Sequence, residues 1–212
     1  MKDFEVFVEQ LSHRLNEPLP GRDAQILMAP KPIDESRFRA NPNFPPKLGG
    51  VMVLLFERDN DFWIPLIKRP EYNGHHSGQV SFPGGKKEKS DIDLIETALR
   101  ETEEEVGVAR NEVELLGTLT ELFIIASNFK VLPTVGFLQQ PPEYKLEEKE
   151  VESILEVSLS QLKDQSQRGI ETMQFGKYTI HSPYFDVDGH KVWGATAMML
   201  SELLFVLEEL GN

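Results

Sequence analysis

The chain has 212 residues, 40% of them hydrophobic and 27% charged, which suits one substantial α/β domain with a core that needs no staples. It contains no cysteine, so disulfides, thiolate metal sites and cysteine nucleophiles are excluded. Its formal net charge of -13 repels nucleic-acid backbones and anionic membrane surfaces, so neither is an expected partner, and a phosphate-bearing substrate needs divalent cations to offset the like charge.

The N-terminus, Met1-Lys2-Asp3-Phe4-Glu5, lacks the basic start and apolar run of a signal peptide. No stretch has the length of a membrane-spanning helix. With the absence of cysteine, this points to a cytoplasmic protein.

Phe4, Phe7, Val8, Leu11 and Leu15 recur at helical spacing and predict an amphipathic first helix. Pro30, Pro32, Pro42, Pro45 and Pro46 make residues 29–48 irregular, a segment expected to wrap the domain. Gly49-Gly50 opens an apolar run over 51–56 that reads as a buried strand. Asp59-Asn60-Asp61 reads as a turn, and 62–68 as the returning strand. A polar loop over 70–79 holds His75, His76 and Gly78. A short strand over 80–82 is expected to end at Pro83-Gly84-Gly85.

Ser90 or Asp91 is placed to cap the next helix, and Gly107 to end it. Residues 113–119 and 130–138 read as strands, and Pro141-Pro142 as a loop. A helix is expected over 147–155 and a strand over 178–187. A closing helix over 193–210 turns Met198, Met199, Leu203 and Val206 inward. Strands and helices mix without strict alternation, which predicts a mixed sheet between helices.

The chemistry concentrates in Leu99-Arg100-Glu101-Thr102-Glu103-Glu104-Glu105-Val106-Gly107. On a helix, Glu101, Glu104 and Glu105 share one face, although neighbouring like charges cost about 0.2–0.5 kcal/mol per pair. Ile92, Ile95, Leu99, Thr102 and Val106 are expected to form the opposite, apolar stripe, so the helix packs on a core rather than standing in solvent. Hard carboxylate oxygens suit Mg²⁺ or Mn²⁺. The Gly-Gly turn ahead of the helix allows close backbone approach, and a free carbonyl there can join a metal shell. Arg100 is a plausible orienting partner for one of the glutamates.

These residues resemble the Nudix box: glycine, five residues, glutamate, seven residues, then Arg-Glu-U-x-Glu-Glu-x-Gly-U, with U apolar. Gly85 opens it and Arg100 to Val108 close it. One extra residue lies between Gly85 and Arg100, Asp91 stands where glutamate is usual, and Thr102 takes an apolar position. The irregular front half is similar to the coenzyme A pyrophosphatase branch of the Nudix superfamily. Pro83-Gly84-Gly85, Glu88 and Asp91 precede Thr97-Ala98-Leu99-Arg100-Glu101 as that branch arranges them. The branch's upstream signature matches at Leu66, Arg69, Gly78, Val80 and Phe82, while its second arginine falls on Gly74 and its threonine on Lys68. Glu150-Val151 and Trp193-Gly194-Ala195-Thr196-Ala197 also resemble the branch.

The resemblance implies a Nudix-like α/β/α sandwich with a mixed β-sheet, N- and C-terminal helices, and one domain over 1–212. Its core would cover about 48–205, after an extension over 1–47. It implies Mg²⁺- or Mn²⁺-dependent hydrolysis of a phosphoanhydride in a nucleotide, coenzyme A or acyl-coenzyme A foremost, to 3′,5′-ADP and 4′-phosphopantetheine. ADP-ribose or a dinucleotide is the alternative substrate, and a Nudix-fold binding protein without catalysis the alternative class. Glu101, Glu105, Glu104 and the Gly85 carbonyl are the implied metal ligands. Glu104 or Glu150 is the implied base, and Arg100 assists. Arg69, His76 and Gly84 are the implied substrate contacts, and a homodimer is admitted. His181 and His190 read as incidental, and Trp193 as core in preference to an adenine platform.

Overall fold

In the computed structural model, which describes residues 2–33, 44–70, 78–175 and 178–210, an eight-stranded mixed sheet lies between helices. Its spine runs β3 (Val80–Ser81), β2 (Asp61–Lys68), β1 (Lys47–Arg58), β7 (Phe129–Leu138), β5 (Glu114–Thr118). Strands β4 (Gly84–Lys86), β6 (Leu122–Ile124) and β8 (Ser153–Ser158) pair with β1, β7 and β2 respectively. Strand β1 runs parallel to β7 and antiparallel to β2.

The long burial of β1 explains its unbroken apolar run, because both faces of the sheet are covered. Val53 and Leu55 join the cluster formed with α1 (Lys2–Leu15) and α5 (Gly194–Leu210). Met52, Leu54 and Phe56 face α3 (Leu94–Val106), meeting Ala98 and Val106. The result is the α/β/α sandwich with a mixed sheet and terminal helices expected from the sequence.

The periodic elements appear as expected. Val8, Leu11 and Leu15 of α1 are buried, and Phe7 stacks on Phe62 with ring centroids 4.5 Å apart. Asp59 and Asn60 join β1 to β2 with φ of 55° and 61°, a left-handed pair that short polar side chains tolerate. Met198, Met199, Leu203 and Val206 of α5 are buried. Glu202, on the same helix and fully buried, accepts hydrogen bonds from Gly21 N, Thr120 N and Gln25 Nε2, which fastens the chain around α2 (Arg22–Gln25) to the body.

Several expectations are corrected. Residues 147–155 are not a helix: a turn over 148–150 leads into β8, which pairs antiparallel with β2 from Lys68↔Ser153 to Trp63↔Ser158. The open edge of β2 recruits the segment despite its helix-favouring glutamates. Strand β3 does end ahead of Pro83-Gly84-Gly85, at Ser81, but Gly84-Gly85 then forms a strand of its own, with Gly50↔Gly85 and Val51↔Gly84 in register on β1. Asp93, not Ser90 or Asp91, caps α3, its side chain accepting from Glu96 N at 2.8 Å. Ile92 is 88% exposed and lies outside the helix's apolar stripe. Trp193 ends β11 (His190–Trp193) rather than opening a helix.

Also not expected from the sequence are α2, β6, α4 (Leu159–Lys163), β9 (Arg168–Phe175) and β11. Strand β9 makes a second, three-stranded sheet with β10 (Tyr178–Val187) and β11. Gly74, His75 and His76 lie outside the described residues. Among the described residues, no helix is long and apolar enough to cross a membrane.

Candidate active site

The site is built on α3 because β1 lets the helix approach closely. A side chain on Gly50 would place its Cβ 2.1 Å from the Leu94 carbonyl oxygen and 3.0 Å from Ala98 N, so glycine is required under the helix. Ala98, Thr102 and Val106 are buried on the inner face. Gly107 ends the helix in the left-handed conformation at φ 78°. This burial leaves Glu101, Glu104 and Glu105 directed towards one cleft.

Arg100 organises the helix's acidic face. Its Nε and Nη2 donate to the two Asp91 carboxylate oxygens at 2.9 and 3.1 Å. Its Nη1 reaches Glu104 at 2.8 Å, and its Nη2 also reaches Glu101 at 2.9 Å and the Lys86 carbonyl at 3.1 Å. Asp91 in turn accepts from Thr97 Oγ1 and Glu88 N, both at 2.9 Å. The Arg100 hydrogen bond holds the Asp91 carboxyl well below the usual carboxylate range, and the guanidinium is held charged in return. Asp91 therefore supports the helix through Arg100 rather than through its N-terminus.

Glu101 lies against Gly85, where an added Cβ would stand 2.5 Å from the Glu101 carboxylate. Burial pushes its carboxyl up, against the pull of Arg100. Glu105 is 1% exposed, and burial pushes its carboxyl up to about 7. Arg69 and the Gly84 amide oppose that shift. Glu105 Oε2 accepts from Gly84 N at 2.7 Å, and Oε1 accepts from Arg69 Nη2 at 2.9 Å. The same arginine nitrogen donates to the Gly84 carbonyl at 3.1 Å.

The opposite wall comes from the segment after Pro141-Pro142. Lys145 N donates to Val106 O at 2.9 Å and Glu147 N to Glu105 O at 3.0 Å, so the last turn of α3 docks this loop. The cleft between them, about 390 Å³, is lined by Glu101, Glu104, Glu105, Glu147, Lys149 and Glu150. Glu150, a base candidate by the family resemblance, thus lines the same cleft as the helix glutamates. Glu147 and Lys149 do so too, although the sequence offers only a charge run of the kind that normally coats a surface. Trp193, His181 and His190 are not on this lining. His181 Nδ1 instead lies 3.0 Å from Thr172 Oγ1, and His190 Nδ1 lies 3.3 Å from the Asp188 carbonyl.

The donor set suits a hard divalent cation, since every candidate ligand is a carboxylate or carbonyl oxygen. Among the described residues, no three acidic or histidine side chains converge on one point as they stand, while Arg100 pairs with Glu101 and Glu104, and Arg69 with Glu105. The convergence visible instead is that of Glu105 Oε1 and the Gly84 carbonyl on a single cationic nitrogen. The Gly85 carbonyl lies in β4 against Gly49, whose added Cβ would stand 2.7 Å from it.

A strand, a paired Gly-Gly segment and a carboxylate helix facing an acidic cleft define the Nudix type of fold and site. The NUDIX domain model matches residues 46–173, and the chain belongs to the Nudix family. It is 36% identical over 185 residues to "Nudix hydrolase 15, mitochondrial" of Arabidopsis thaliana, covering 83% of this chain and 62% of that one. It is also 36% identical over 166 residues to "Nudix hydrolase 22, chloroplastic" of the same plant, covering 74% of this chain and 54% of the relative. The chain therefore spans just over half to about six-tenths of these plant relatives' lengths. Against "Uncharacterized Nudix hydrolase NudL" of Citrobacter koseri, identity is 36% over 148 residues, 65% of this chain and 71% of the relative. A MutT/nudix family protein from Enterococcus faecalis shares the fold, with a TM-score of 0.52 at 17% identity, covering 86% of this chain and 76% of that one.

Proposed function

We propose that this protein hydrolyses a phosphoanhydride bond in a nucleoside diphosphate derivative with Mg²⁺ or Mn²⁺. Coenzyme A or acyl-coenzyme A is the preferred substrate, cut to 3′,5′-ADP and 4′-phosphopantetheine. The observation that carries the reading is the cleft itself: three helix glutamates face Glu147 and Glu150 beside a Gly-Gly backbone in a family member. Leu66, Arg69, Gly78, Val80, Phe82 and Pro83-Gly84-Gly85 support the choice of coenzyme A.

Glu101, Glu105 and the Gly84 carbonyl would hold the ion, with Glu104 joining from the more exposed side of the cleft. The Gly84 carbonyl replaces that of Gly85 as the backbone ligand in this assignment, because Gly84 shares a cation with Glu105. When bound, divalent metal supplies charge stabilisation to the phosphoryl oxygens and acidity to the attacking water. Arg100, fixed by Asp91, aims Glu101 and Glu104. Glu150 lines the cleft without an arginine partner among the described residues, so it is the better-placed proton acceptor, ahead of Glu104. Lys149, the one cation on the cleft lining among the described residues, would meet a substrate phosphate. The cysteine-free sequence supports a cytoplasmic location.

The test is a substrate panel of coenzyme A, ADP-ribose, NADH and dinucleoside polyphosphates with Mg²⁺ or Mn²⁺. The expected result is fastest turnover of coenzyme A, releasing 3′,5′-ADP. No turnover of any compound would leave a binding protein in place of an enzyme. ADP-ribose turned over far faster than coenzyme A would overturn the substrate assignment alone.

A further inference from the structure

Arg69 was expected at the substrate, yet its described side-chain contacts are with Glu105 of α3 and the Gly84 carbonyl of β4. One nitrogen of its guanidinium bridges Glu105 Oε1 at 2.9 Å and the Gly84 carbonyl at 3.1 Å. The pair is largely enclosed, with side-chain exposures of 22% for Arg69 and 2% for Glu105. The other Glu105 oxygen is pinned by Gly84 N at 2.7 Å, so the carboxylate is not free to turn away from its cation. Whatever cation takes Oε1 from this side meets the Gly84 carbonyl as well.

We propose that Arg69 is a built-in competitor for the metal: its guanidinium occupies the position between Glu105 and the Gly84 carbonyl, and a divalent ion binds there by displacing it. The inference rests on the reading of the cleft as a metal site. The guanidinium cannot share the two oxygens with a dication, since like charges a few ångströms apart repel strongly in a partly buried site. It must move. Its backbone stays fixed by the hydrogen bond from Arg69 N to Gln79 O at 3.0 Å. The displaced side chain therefore remains at the edge of the same site, carrying a fork of donors suited to a phosphate. Metal entry and exposure of a phosphate-binding arginine become one event.

The proposal is tested by calorimetric titration of Mn²⁺ into the full chain, with Arg69→Gln and Arg69→Lys compared with wild type. Gln keeps hydrogen-bond donors but removes the competing charge, so Mn²⁺ should bind about tenfold more tightly, while the KM for the nucleotide rises. Lys retains the charge and should bind Mn²⁺ within about threefold of wild type. Opposite movements of metal affinity and KM are not expected of a merely structural residue. Equal or weaker Mn²⁺ binding by Arg69→Gln, with an unchanged far-ultraviolet circular dichroism spectrum, would overturn the proposal. If wild type binds no Mn²⁺ at all, the metal reading falls and takes this inference with it. Should Arg69→Gln fail to fold, ¹⁵N and ¹³C NMR of wild type decide. The Arg69 Nε resonance should shift on Mg²⁺ binding, and a fixed Arg69 signal beside a shifting Glu105 carboxylate would refute displacement.

Discussion

Replacing Asp91 with Asn removes one charge from a buried pair while keeping the side chain's shape. Asp91 and Arg100 have side-chain exposures of 2% and 9%, and the carboxylate takes both Arg100 contacts as well as those of Thr97 and Glu88. Removing one partner of a buried ion pair costs about 3–5 kcal/mol, because the other charge is left without its counter-ion. Arg100 keeps Glu101, Glu104 and the Lys86 carbonyl as acceptors, which puts the expected loss near the lower end, about 3 kcal/mol. For a chain of this size, that is a fall in Tm of about 6–12 °C.

The sign with pH follows from the depressed carboxyl of Asp91. Its contribution is fully present above the ordinary carboxylate range and is lost only as pH falls through the lower, folded-state value. The difference between wild type and Asp91→Asn should therefore be constant between about pH 5 and 8 and shrink in strong acid. Urea unfolding followed by circular dichroism measures this directly. A loss below about 1 kcal/mol at pH 7, the value of an exposed pair, would refute the buried-clamp argument.

Glu105→Gln should keep the fold, since Gln still accepts from Gly84 N, and should lose activity by about 100-fold or more, beyond the roughly 10–100-fold cost of changing an outer-shell partner, because Glu105 is read as a direct ligand. Wild-type turnover in that variant would remove Glu105 from the metal site. Gly85→Ala should weaken Mn²⁺ binding in calorimetry, because its Cβ would stand 2.5 Å from the Glu101 carboxylate and drive it aside. Unchanged affinity would show that Glu101 is not a ligand. Chelation with EDTA should abolish turnover, and Mg²⁺ or Mn²⁺ should restore it in a kinetic assay. In the chelated protein, the buried Glu105 carboxyl, pushed up to about 7, makes the folded state bind more protons than the unfolded chain. Stability should therefore fall as pH rises from about 4.5 to 7, and saturating Mg²⁺ should flatten that slope. A rise in chemical-denaturation stability over this window would contradict the assignment.

Local periodicity and turn chemistry were enough to read much of this protein from its sequence. The stripe of Phe4, Phe7, Val8, Leu11 and Leu15, the β1–β2 hairpin at Asp59-Asn60, the end of α3 at Gly107 and the inner face of α5 all depend on neighbours a few residues away. The placement of Glu101, Glu104 and Glu105 on one face follows from helical spacing alone. Tertiary structure decided what depends on partners far along the chain. The edge of β2 turned a glutamate-rich segment into β8, and β1 turned Gly84-Gly85 into a strand. Asp91 became the buried clamp of Arg100 while the nearby Asp93 took the cap, a choice set by which carboxylate the folded helix encloses. Glu147 and Lys149 entered the cleft because the last turn of α3 hydrogen-bonds their loop, a contact that no local pattern encodes. The sequence determined the carboxylates available, and only the packing of β4, α3 and the 144–151 loop decided which cation each one faces.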